Sequence, residues 1–360
     1  MESLQKRIIT ISLLIIFFVL LLNISIFCYA QENKIVLKFA ETTAQIGLRG
    51  DMTNYLLEEV EKSLGDKLQI DVYWGASLLS HAEILRGVRN GSVDIGDVAP
   101  DVYPTQLILH SGLALFTKAP IKHENLLNIL NRCYEEIPEF ENEILSQNQK
   151  VLYAYFQLSM GVCSTKPFTS YDDFKDKKIR ASGRWYLGML EGAGAFSVNI
   201  PFGDCYMALQ TGTIDGVFTT IDGIHRTKMD EVAKNVMIFK EFWFSTPHLY
   251  TINLDTWNSL PENIQNGLVD ACKRAINRYN IRHSENLDEI ISAQKEMGVI
   301  VTIATEEDIN KFANMAKIDE LKDQWIKEVK ETGIQNANEI LNKIGTIIND
   351  EINKEKESIK

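Results

Sequence analysis

The sequence predicts an α/β protein of two lobes, with a ligand cleft between the lobes and one long helix that crosses both. Three observations lead to this fold class. Residues 178–220 alternate between strand-like and helix-like segments, a shorter segment of similar form occurs earlier in the chain, and residues 268–297 contain neither Gly nor Pro. A chain of 360 residues, 45% of them hydrophobic, is long enough to form two domains with cores of their own.

Residues 1–30 are predicted to be an export signal. Lys6 and Arg7 precede an uncharged apolar stretch at 8–27, and Ala30 is a small residue at which cleavage can occur. The apolar stretch is also long enough to span a bilayer, so a retained N-terminal anchor is the alternative. In either case we expect the rest of the chain outside the cytoplasmic membrane, in the periplasm or another extracytoplasmic space.

The first lobe is predicted over residues 31–157, with about 247–280 added later in the chain. Its expected strands are 35–43, 68–74, 93–98, 151–156 and 247–253. Its expected helices are 48–64, 77–90 and 124–145, the last interrupted at Pro138. Residues 48–64 carry apolar side chains at helical spacing, which is typical of a helix with one buried face.

The second lobe is predicted over residues 158–246 and about 281–350. A strand ends at Arg180, Ser182 is expected to cap a helix at 184–195, and Gly212 is expected to end a helix at 204–210 in the left-handed conformation. Further strands are expected at 197–200, 213–219 and 299–304, and a short helix or turn at 231–238. Residues 351–360 are predicted to be a frayed tail.

A long helix is predicted after Pro261, which together with Glu262 is typical of a helix start. The stretch 268–297 without a helix breaker would span roughly 45 Å as one helix, more than the width of one small lobe. The alternative is two helices broken near His283. Thr305 and Asp308 predict a capping box at the start of the helices that follow.

An internal similarity indicates that the two lobes are related. R-G-V-R-N-G-S-V-D-I-G at 86–96 has the same form as M-A-L-Q-T-G-T-I-D-G-V at 207–217, so Gly91 matches Gly212 and Asp94 matches Asp215. We therefore expect the same helix–turn–strand unit in each lobe. The alternative is that such turns are common to unrelated α/β proteins.

Charge and motifs argue against several classes of function. A net charge of −12 does not suit a protein that binds nucleic acid. The motifs of serine hydrolases, zinc proteases and P-loop proteins are absent from the sequence, and its histidines show no metal-ligand spacing. Four cysteines lie far apart and are expected to be small buried residues: Cys133, Cys163, Cys205 and Cys272. We expect a binding protein without a metal or cofactor, and not an enzyme.

Arg180 is the principal candidate for a ligand-binding residue. It ends a predicted strand next to a helix start, which is where open α/β folds bind their ligands. A guanidinium beside free backbone N–H groups suits a carboxylate, because it offers two parallel hydrogen bonds and a positive helix end. The alternative is a surface arginine on a solvated strand end.

The run K-I-R at 178–180, followed by P-F-G-D-C-Y-M-A-L-Q-T-G-T-I-D-G at 201–216, resembles the signature of solute-binding proteins of TRAP-type (tripartite ATP-independent periplasmic) transporters. The resemblance extends from about residue 35 to about residue 330. It implies a periplasmic-binding-protein-like fold whose hinge closes over a small organic anion and delivers it to a TRAP-type membrane permease. A receptor for a sensory or ABC-type system and, more remotely, an exported enzyme are the alternatives. We expect a monomer.

The resemblance also implies roles for individual residues. Arg180 matches the arginine that pairs with the ligand carboxylate, and Phe202 matches a ring that packs on the bound molecule. Thr219 stands where the family has a ligand-binding asparagine, and Met160 stands where some members have a second arginine. The loss of that arginine argues against sialic acid and weakens the case for a dicarboxylate.

An apolar surround for the single guanidinium is predicted from four residues, which are Met160, Phe202, Trp185 and Phe218. This surround indicates a monocarboxylate with an apolar or ring-like body. The first lobe is expected to supply closing contacts from residues at strand ends and loops: Thr42, Trp74, Asp97 and Asp101. An aspartate there can accept a hydrogen bond from a ligand hydroxyl or amine. Ordinary loop or core packing is the alternative for all four.

Overall fold

A computed structural model describes residues 34–240 and 247–358. The predicted signal or anchor at 1–30 lies outside these residues. Within the described ranges, none of the helices has the length and apolar character needed to cross a membrane.

The strands and helices alternate along most of the chain. The strands are β1 (Ile35–Ala40), β2 (Leu68–Tyr73), β3 (Ile95–Val98), β4 (Gln149–Tyr155), β5 (Met160–Ser164), β6 (Lys178–Arg180), β7 (Phe196–Val198), β8 (Gly216–Thr220), β9 (Asn235–Ile238), β10 (His248–Asn253) and β11 (Ile300–Ile303). The helices are α1 (Gly47–Leu64), α2 (Ile84–Arg89), α3 (Ile108–Gly112), α4 (His123–Glu136), α5 (Pro138–Leu145), α6 (Arg184–Gly192), α7 (Cys205–Gln210), α8 (Ile221–Arg226), α9 (Met229–Val232), α10 (Leu254–Ser259), α11 (Glu262–Glu296), α12 (Glu306–Met315), α13 (Ile318–Glu331) and α14 (Ala337–Ser358).

Two mixed sheets form the centres of the two lobes. The first has the strand order β2-β1-β3-β10-β4, and the second has the order β11-β9-β5-β8-β6-β7. In the first sheet β10 runs antiparallel to β3 and β4, and in the second β5 runs antiparallel to β8 and β9. The chain enters the second sheet after Tyr155, and β10 brings it back to the first. The predicted two-lobed α/β fold is confirmed.

Two strands of the second sheet differ from the sequence prediction. Residues 231–238, expected to be a short helix or turn, contain the strand β9, and β5 was not anticipated. Both strands are short apolar runs, and such runs are ambiguous between strand and helix when read alone. Here β5 is held between β8 and β9, so pairing within the sheet decides its conformation.

The long helix α11 is continuous over 35 residues, from Glu262 to Glu296. The predicted single helix is therefore confirmed, and the alternative of two helices broken near His283 is wrong. The helix packs on α1 of the first lobe and on α8 and β11 of the second, so it crosses both lobes. Its buried side chains recur at helical spacing, which lets one helix cover both sheets' edges.

The internal similarity corresponds to the same turn in both lobes. Gly91 and Gly212 have φ of +69° and +72°, the left-handed region that glycine adopts without strain. In the first lobe the Asp94 carboxylate accepts from the Lys38 N–H at 2.8 Å, and in the second the Asp215 carboxylate accepts from the Lys178 N–H at 2.9 Å. Each aspartate thus fixes its own strand beside the neighbouring parallel strand.

The structure tests the predicted starts of three helices, of which two are corrected and one is confirmed. The residue before α6 is Gly183, with φ of +78° and no side-chain cap, so the predicted capping by Ser182 is wrong. Helix α2 begins at Ile84 rather than at residue 77, because residues 81–83 form a turn. Thr305 and Asp308 form the predicted capping box.

The predicted frayed tail is wrong as far as Ser358. Helix α14 reaches that residue, and the Glu355 carboxylate accepts from the N–H groups of Ile121 and Lys122 at 2.8 and 2.9 Å. These bonds satisfy backbone donors at the start of α4. Helix α14 packs on α4, which lies beside the first sheet, and the assignment of residues up to 350 to the second lobe stays a prediction.

The interior is continuous between the lobes. One buried cluster joins Leu115 of the first lobe with Phe218 of β8, and another joins Phe39 of β1 with Val217 of β8.

The four cysteines predicted to be buried are all buried and unpaired. Among the residues that the structure describes, no group of three or more His, Cys, Asp or Glu side chains is arranged to hold a metal ion.

Candidate functional site

Arg180 lies at the end of β6 with only 4% of its surface exposed. Its Nε donates to the Ile200 carbonyl at 3.1 Å, and the guanidinium carbon lies 5.4 Å from the centre of the Phe202 ring. Within the described part of the chain, its terminal nitrogens have no hydrogen-bond partner and no carboxylate forms an ion pair with it. Burial lowers the pKa of Arg180 from its usual value. A buried cation with free donors is suited to an anionic ligand.

Phe202 and Thr219 join Arg180 in one group. A Cβ atom placed on Gly223 of α8 would lie 3.4 Å from Cζ of Phe202 and 3.6 Å from Oγ1 of Thr219. Arg180 is paired with Val217 in the parallel β6–β8 ladder, so the end of β6 lies beside the end of β8. The structure therefore brings together three of the predicted site residues from three separate segments.

Arg226, at the end of α8, belongs to the same group but was not among the site residues predicted from the sequence. Its guanidinium carbon lies 5.9 Å from the centre of the same Phe202 ring. Its Nε is buried without a partner, and no hydrogen bond or ion pair joins it to any described residue. Burial, and then the charge of Arg49, lower the pKa of Arg226. The available signal was its position one helical turn after Asp222, in a helix that begins at a strand end.

Arg49 was also missed, and it organises the first lobe's side of the cleft. Its Nη2 lies 2.9 Å from the Asp97 carboxylate and donates to Oγ1 of Thr42 at 3.1 Å, and its Nε donates to the Tyr155 hydroxyl at 3.4 Å. Asp97 is completely buried. Burial alone would raise the pKa of Asp97, but His248 and Arg49 reverse this and hold it well below its usual range. Asp97 is thus engaged by internal partners and is charged.

A chain of polar contacts runs from this ion pair into the second lobe. Asp97 accepts from Nδ1 of His248 at 2.8 Å, and Nε2 of the same ring contacts the Gln157 amide. The Gln157 amide oxygen then accepts from Oγ1 of Thr220, at the end of β8, at 2.8 Å. Gln157 lies in the segment that connects the two sheets. The contacts therefore link Arg49 of one lobe to Thr220 of the other through this connection.

The connecting segment is held by side chains rather than by a strand ladder. The Phe156 N–H donates to Nε2 of His123 at 2.9 Å, and its carbonyl accepts from the Tyr279 hydroxyl at 2.9 Å. The Gln157 carbonyl lies 3.1 Å from Nε2 of His283. Buried backbone groups need such partners, because an unpaired one is costly. Side chains of α4 and of the long helix thus hold the backbone of the segment that connects the lobes.

Two glycines mark where the lobes approach each other across the cleft. Gly47 is the first residue of α1 and has φ of +73°. A Cβ atom there would lie 2.9 Å from Cδ of Arg226. Gly183, before α6, has φ of +78°, and a Cβ there would lie 3.1 Å from Cβ of Asp101. Each glycine permits a left-handed turn and a close contact with the opposite lobe. Asp101, predicted in the first lobe, therefore does lie near the Arg180 strand end.

Phe218 and Met160 lie beside the site but pack into the interior. The Phe218 ring contacts Tyr186 and Phe239, at centroid distances of 5.8 and 5.7 Å. Met160 is buried opposite Thr220 in the β5–β8 pair. Since successive residues of a strand point to opposite faces, Phe218 and its neighbour Thr219 cannot both face Arg180. A ligand contact for Phe218 or Met160 stays a prediction.

Trp185, predicted in the apolar surround, and Trp74, predicted to supply a closing contact from the first lobe, have other neighbours in the structure. Trp185 is buried, its Nε1 donates to Oγ of Ser111 at 3.3 Å, and the Arg184 guanidinium carbon lies 4.1 Å from its ring. Trp74 follows β2 and is half-buried, and its carbonyl accepts from the Ser77 N–H at 3.2 Å. Contact of either tryptophan with a ligand stays a prediction.

Glu41, next to Thr42, is a fully buried carboxyl group that sequence reasoning did not single out. It accepts from the Thr43 N–H at 2.9 Å, from Oγ1 of Thr53 at 3.0 Å and from the Tyr250 hydroxyl at 2.8 Å. Burial, and then the charge of Asp97, raise the pKa of Glu41 to about 8. The folded protein therefore favours the protonated form of this group.

Glu41→Gln should make the stability of the protein less dependent on pH. Because the folded-state pKa of Glu41 is raised, its contribution is complete below the unfolded-state value and is lost as the pH rises through about 8. The free energy of unfolding of the native protein should thus fall more between about pH 5 and pH 9 than that of the variant. Urea denaturation at both pH values measures this, with exposed Glu135→Gln as control. Equal pH dependence in native protein and Glu41→Gln contradicts the prediction.

Comparison with known proteins gives a consistent result. Residues 39–328 match the bacterial extracellular solute-binding proteins of family 7. The chain is 27% identical over 272 residues to the ectoine-binding periplasmic protein TeaA of Halomonas elongata, covering 73% of this chain and 77% of that protein.

Solved structures support the same fold. A Bordetella pertussis extracytoplasmic solute receptor that binds pyroglutamic acid superposes with a TM-score of 0.76 at 18% identity, over 86% of this chain and 99% of that one. A marine metagenome TRAP solute-binding protein specific for aromatic acids, solved with 3-hydroxybenzoate, superposes with a TM-score of 0.75 at 19% identity, over 88% and 98%.

Proposed function

The chain belongs to family 7 of the bacterial extracellular solute-binding proteins, the TRAP-type receptors, and on this premise we propose that it binds a small carboxylate between its lobes and presents it to a TRAP-type membrane permease. Members of this family are solute-binding receptors and not enzymes. The proposal concerns which solute this chain takes and which residues hold it.

The observation that carries the proposal is the state of Arg180. Its guanidinium is almost fully buried, yet its terminal N–H groups face no acceptor among the described residues. Leaving a charge unpaired in the interior is unfavourable, so a group of this kind is retained where a ligand supplies the partner. A carboxylate matches the planar donor geometry of guanidinium. Phe202, on whose ring the guanidinium lies, is then the surface for the ligand body.

We further propose that the preferred ligand has a single carboxylate. Met160 matches the position at which some family members have a second arginine, and it is buried among apolar residues. Thr219 offers one hydroxyl rather than an amide, so it contributes one donor to the ligand. The ligands named for the three proteins compared above, which are ectoine, pyroglutamic acid and 3-hydroxybenzoate, each carry one carboxylate and a ring, although another relative is named for binding C4-dicarboxylates.

Closure of the two lobes about the connecting segment would complete the site. Asp97 acts as a positioning residue in this proposal, since it fixes Arg49 and Thr42 at the first lobe's edge without reaching the ligand itself. Asp101 and Arg226 approach the opposite lobe at Gly183 and Gly47. A permease then distinguishes the closed, loaded receptor from the open one by its shape.

Thermal unfolding of the purified protein against a panel of acids tests the proposed function. The panel contains benzoate, 3-hydroxybenzoate, pyroglutamate, cyclopentanecarboxylate, succinate and malate, with glucose as neutral control. A ligand at 100 times its Kd stabilises the folded state by about 2.7 kcal/mol, which raises Tm by several degrees in a chain of this length. We expect a monocarboxylate to raise Tm. A shift by succinate or malate alone contradicts the single-carboxylate preference, and no shift by any acid contradicts the carboxylate receptor.

A further inference from the structure

Arg226 has no role in the site as proposed so far, although it shares the Phe202 ring with Arg180. We propose that Arg226 is a second ligand-contacting residue, and that it donates to a neutral oxygen, a ring carbonyl or hydroxyl, on the part of the ligand remote from the carboxylate. This inference rests on the proposed function. It narrows the ligand class from monocarboxylates to oxo- or hydroxy-substituted cyclic monocarboxylates.

The position of Arg226 is the first argument. Its guanidinium carbon lies 5.9 Å from the centre of the Phe202 ring, and that of Arg180 lies 5.4 Å from the same centre. A molecule packed on this ring is thus within reach of both guanidinium groups. A Cβ placed on Gly47 of the first lobe would lie 2.9 Å from Cδ of Arg226, so the stem of Arg226 lies against the first lobe.

The second argument is that Arg226 lacks acceptors. Its Nε is buried and unpaired, and no other described residue forms a hydrogen bond or an ion pair with its guanidinium. Arg49, which lies on the first lobe's side of the cleft, does have acceptors, because it is bound to Asp97, Thr42 and Tyr155. Buried donors are nearly always paired in folded proteins, so an unpaired one at the edge of a ligand cleft indicates a partner that arrives with the ligand.

The charge around Arg226 favours a neutral acceptor over a second anion. Asp222, one helical turn earlier and almost fully buried, raises the pKa of Arg226 against the larger lowering by burial and by Arg49. The charge of Arg49 is itself balanced by Asp97. Asp222 thus lies close enough to interact with Arg226 but accepts no hydrogen bond from it, so the guanidinium still lacks an acceptor among the described residues. Arg180 remains the group that meets the carboxylate.

Two matched pairs of probes test the inference by calorimetry. 3-Hydroxybenzoate is compared with benzoate, and pyroglutamate with cyclopentanecarboxylate. The native protein should bind the oxygen-bearing member of at least one pair about tenfold or more tightly than its partner, since a hydrogen bond to a charged donor has about this effect on affinity. In Arg226→Met, which keeps a linear stem beside Phe202, the ratio of the two affinities should fall to about one.

Each other outcome has a defined meaning. A ratio in Arg226→Met that stays at the native value overturns the inference and leaves the proposed function intact. An equal loss for both members of a pair also overturns it, because Arg226 would then meet the carboxylate. Absence of binding by every acid in the panel contradicts the proposed function, and the inference with it. Arg226→Gln serves as a second variant, and unfolding of both variants without ligand verifies that they are folded.

Discussion

Arg180→Met should abolish carboxylate binding, with an affinity loss of at least about 100-fold, while leaving the ligand-free protein as stable as the native one or more stable. Truncating one partner of a buried charge pair typically costs about 3 kcal/mol of binding energy. In the absence of ligand the same guanidinium is buried without an ion-pair partner among the described residues, so its removal takes an unfavourable charge out of the interior. Calorimetry with a binding acid and thermal unfolding without ligand measure the two effects.

Arg184→Met is the matched control for this experiment. Arg184 lies four residues further on, but its guanidinium is paired with Glu328 and packs on Trp185, away from Phe202. This variant should keep the native affinity and lose some stability. If Arg180→Met binds with native affinity, Arg180 is not the carboxylate partner, even if the protein is a receptor. If both variants lose binding equally, the effect is not specific to the site.

Asp97→Asn should be the most destabilising single substitution near the cleft, with a loss of about 3–5 kcal/mol in the free energy of unfolding. The buried Asp97 carboxylate accepts from Arg49 and from His248 through different oxygens. An amide can accept through one oxygen only, and its NH₂ group would face the other donor. One buried donor is thus left unpaired, and Arg49 loses its counter-charge. Denaturant unfolding measures the change, and Tm should fall by roughly 5–10 °C.

A double-mutant cycle separates this ion pair from a general loss of packing. In Arg49→Met with Asp97→Asn, the uncompensated cation is absent, so we expect the double variant to be more stable than Asp97→Asn alone. Strict additivity of the two single effects would show that Arg49 and Asp97 do not stabilise each other. Because Asp97 also orients His248 towards Gln157, its loss should in addition weaken the polar connection between the lobes.

The proposed ligand-binding group, which consists of Arg180, Phe202 and Thr219, shows how far sequence reasoning reached. Arg180, Phe202 and Thr219 were predicted together, and they lie together, because the motif that carries them forms consecutive strand ends of one sheet. The same reasoning placed Phe218 in the surround of the guanidinium, and the structure packs it against Tyr186 instead. Which face of β8 a residue occupies depends on the register with β5 and β6, which a motif does not contain.

The first lobe's contribution was predicted only in part. Thr42 and Asp97 were named as separate candidates, whereas the structure joins them through Arg49, a residue on a helix with no motif around it. His248, which completes the group, comes from a strand far along the chain. The sequence contains Arg226, but it does not show how much of this side chain is buried. Contacts between distant segments of this kind leave no local pattern.

The sequence by itself determined the α/β class, the two related lobes, the long helix and the position of Arg180. These depend on interactions within short segments, such as helical spacing, the left-handed glycines before Asp94 and Asp215, and a strand end beside a helix start. Only the tertiary structure decided that Asp97 is engaged by Arg49, that β9 is a strand, and that two guanidinium groups share one ring. The reason is physical: burial and pairing partners come from residues far apart in the chain, and they determine both the conformation of short apolar runs and the charge that a side chain carries.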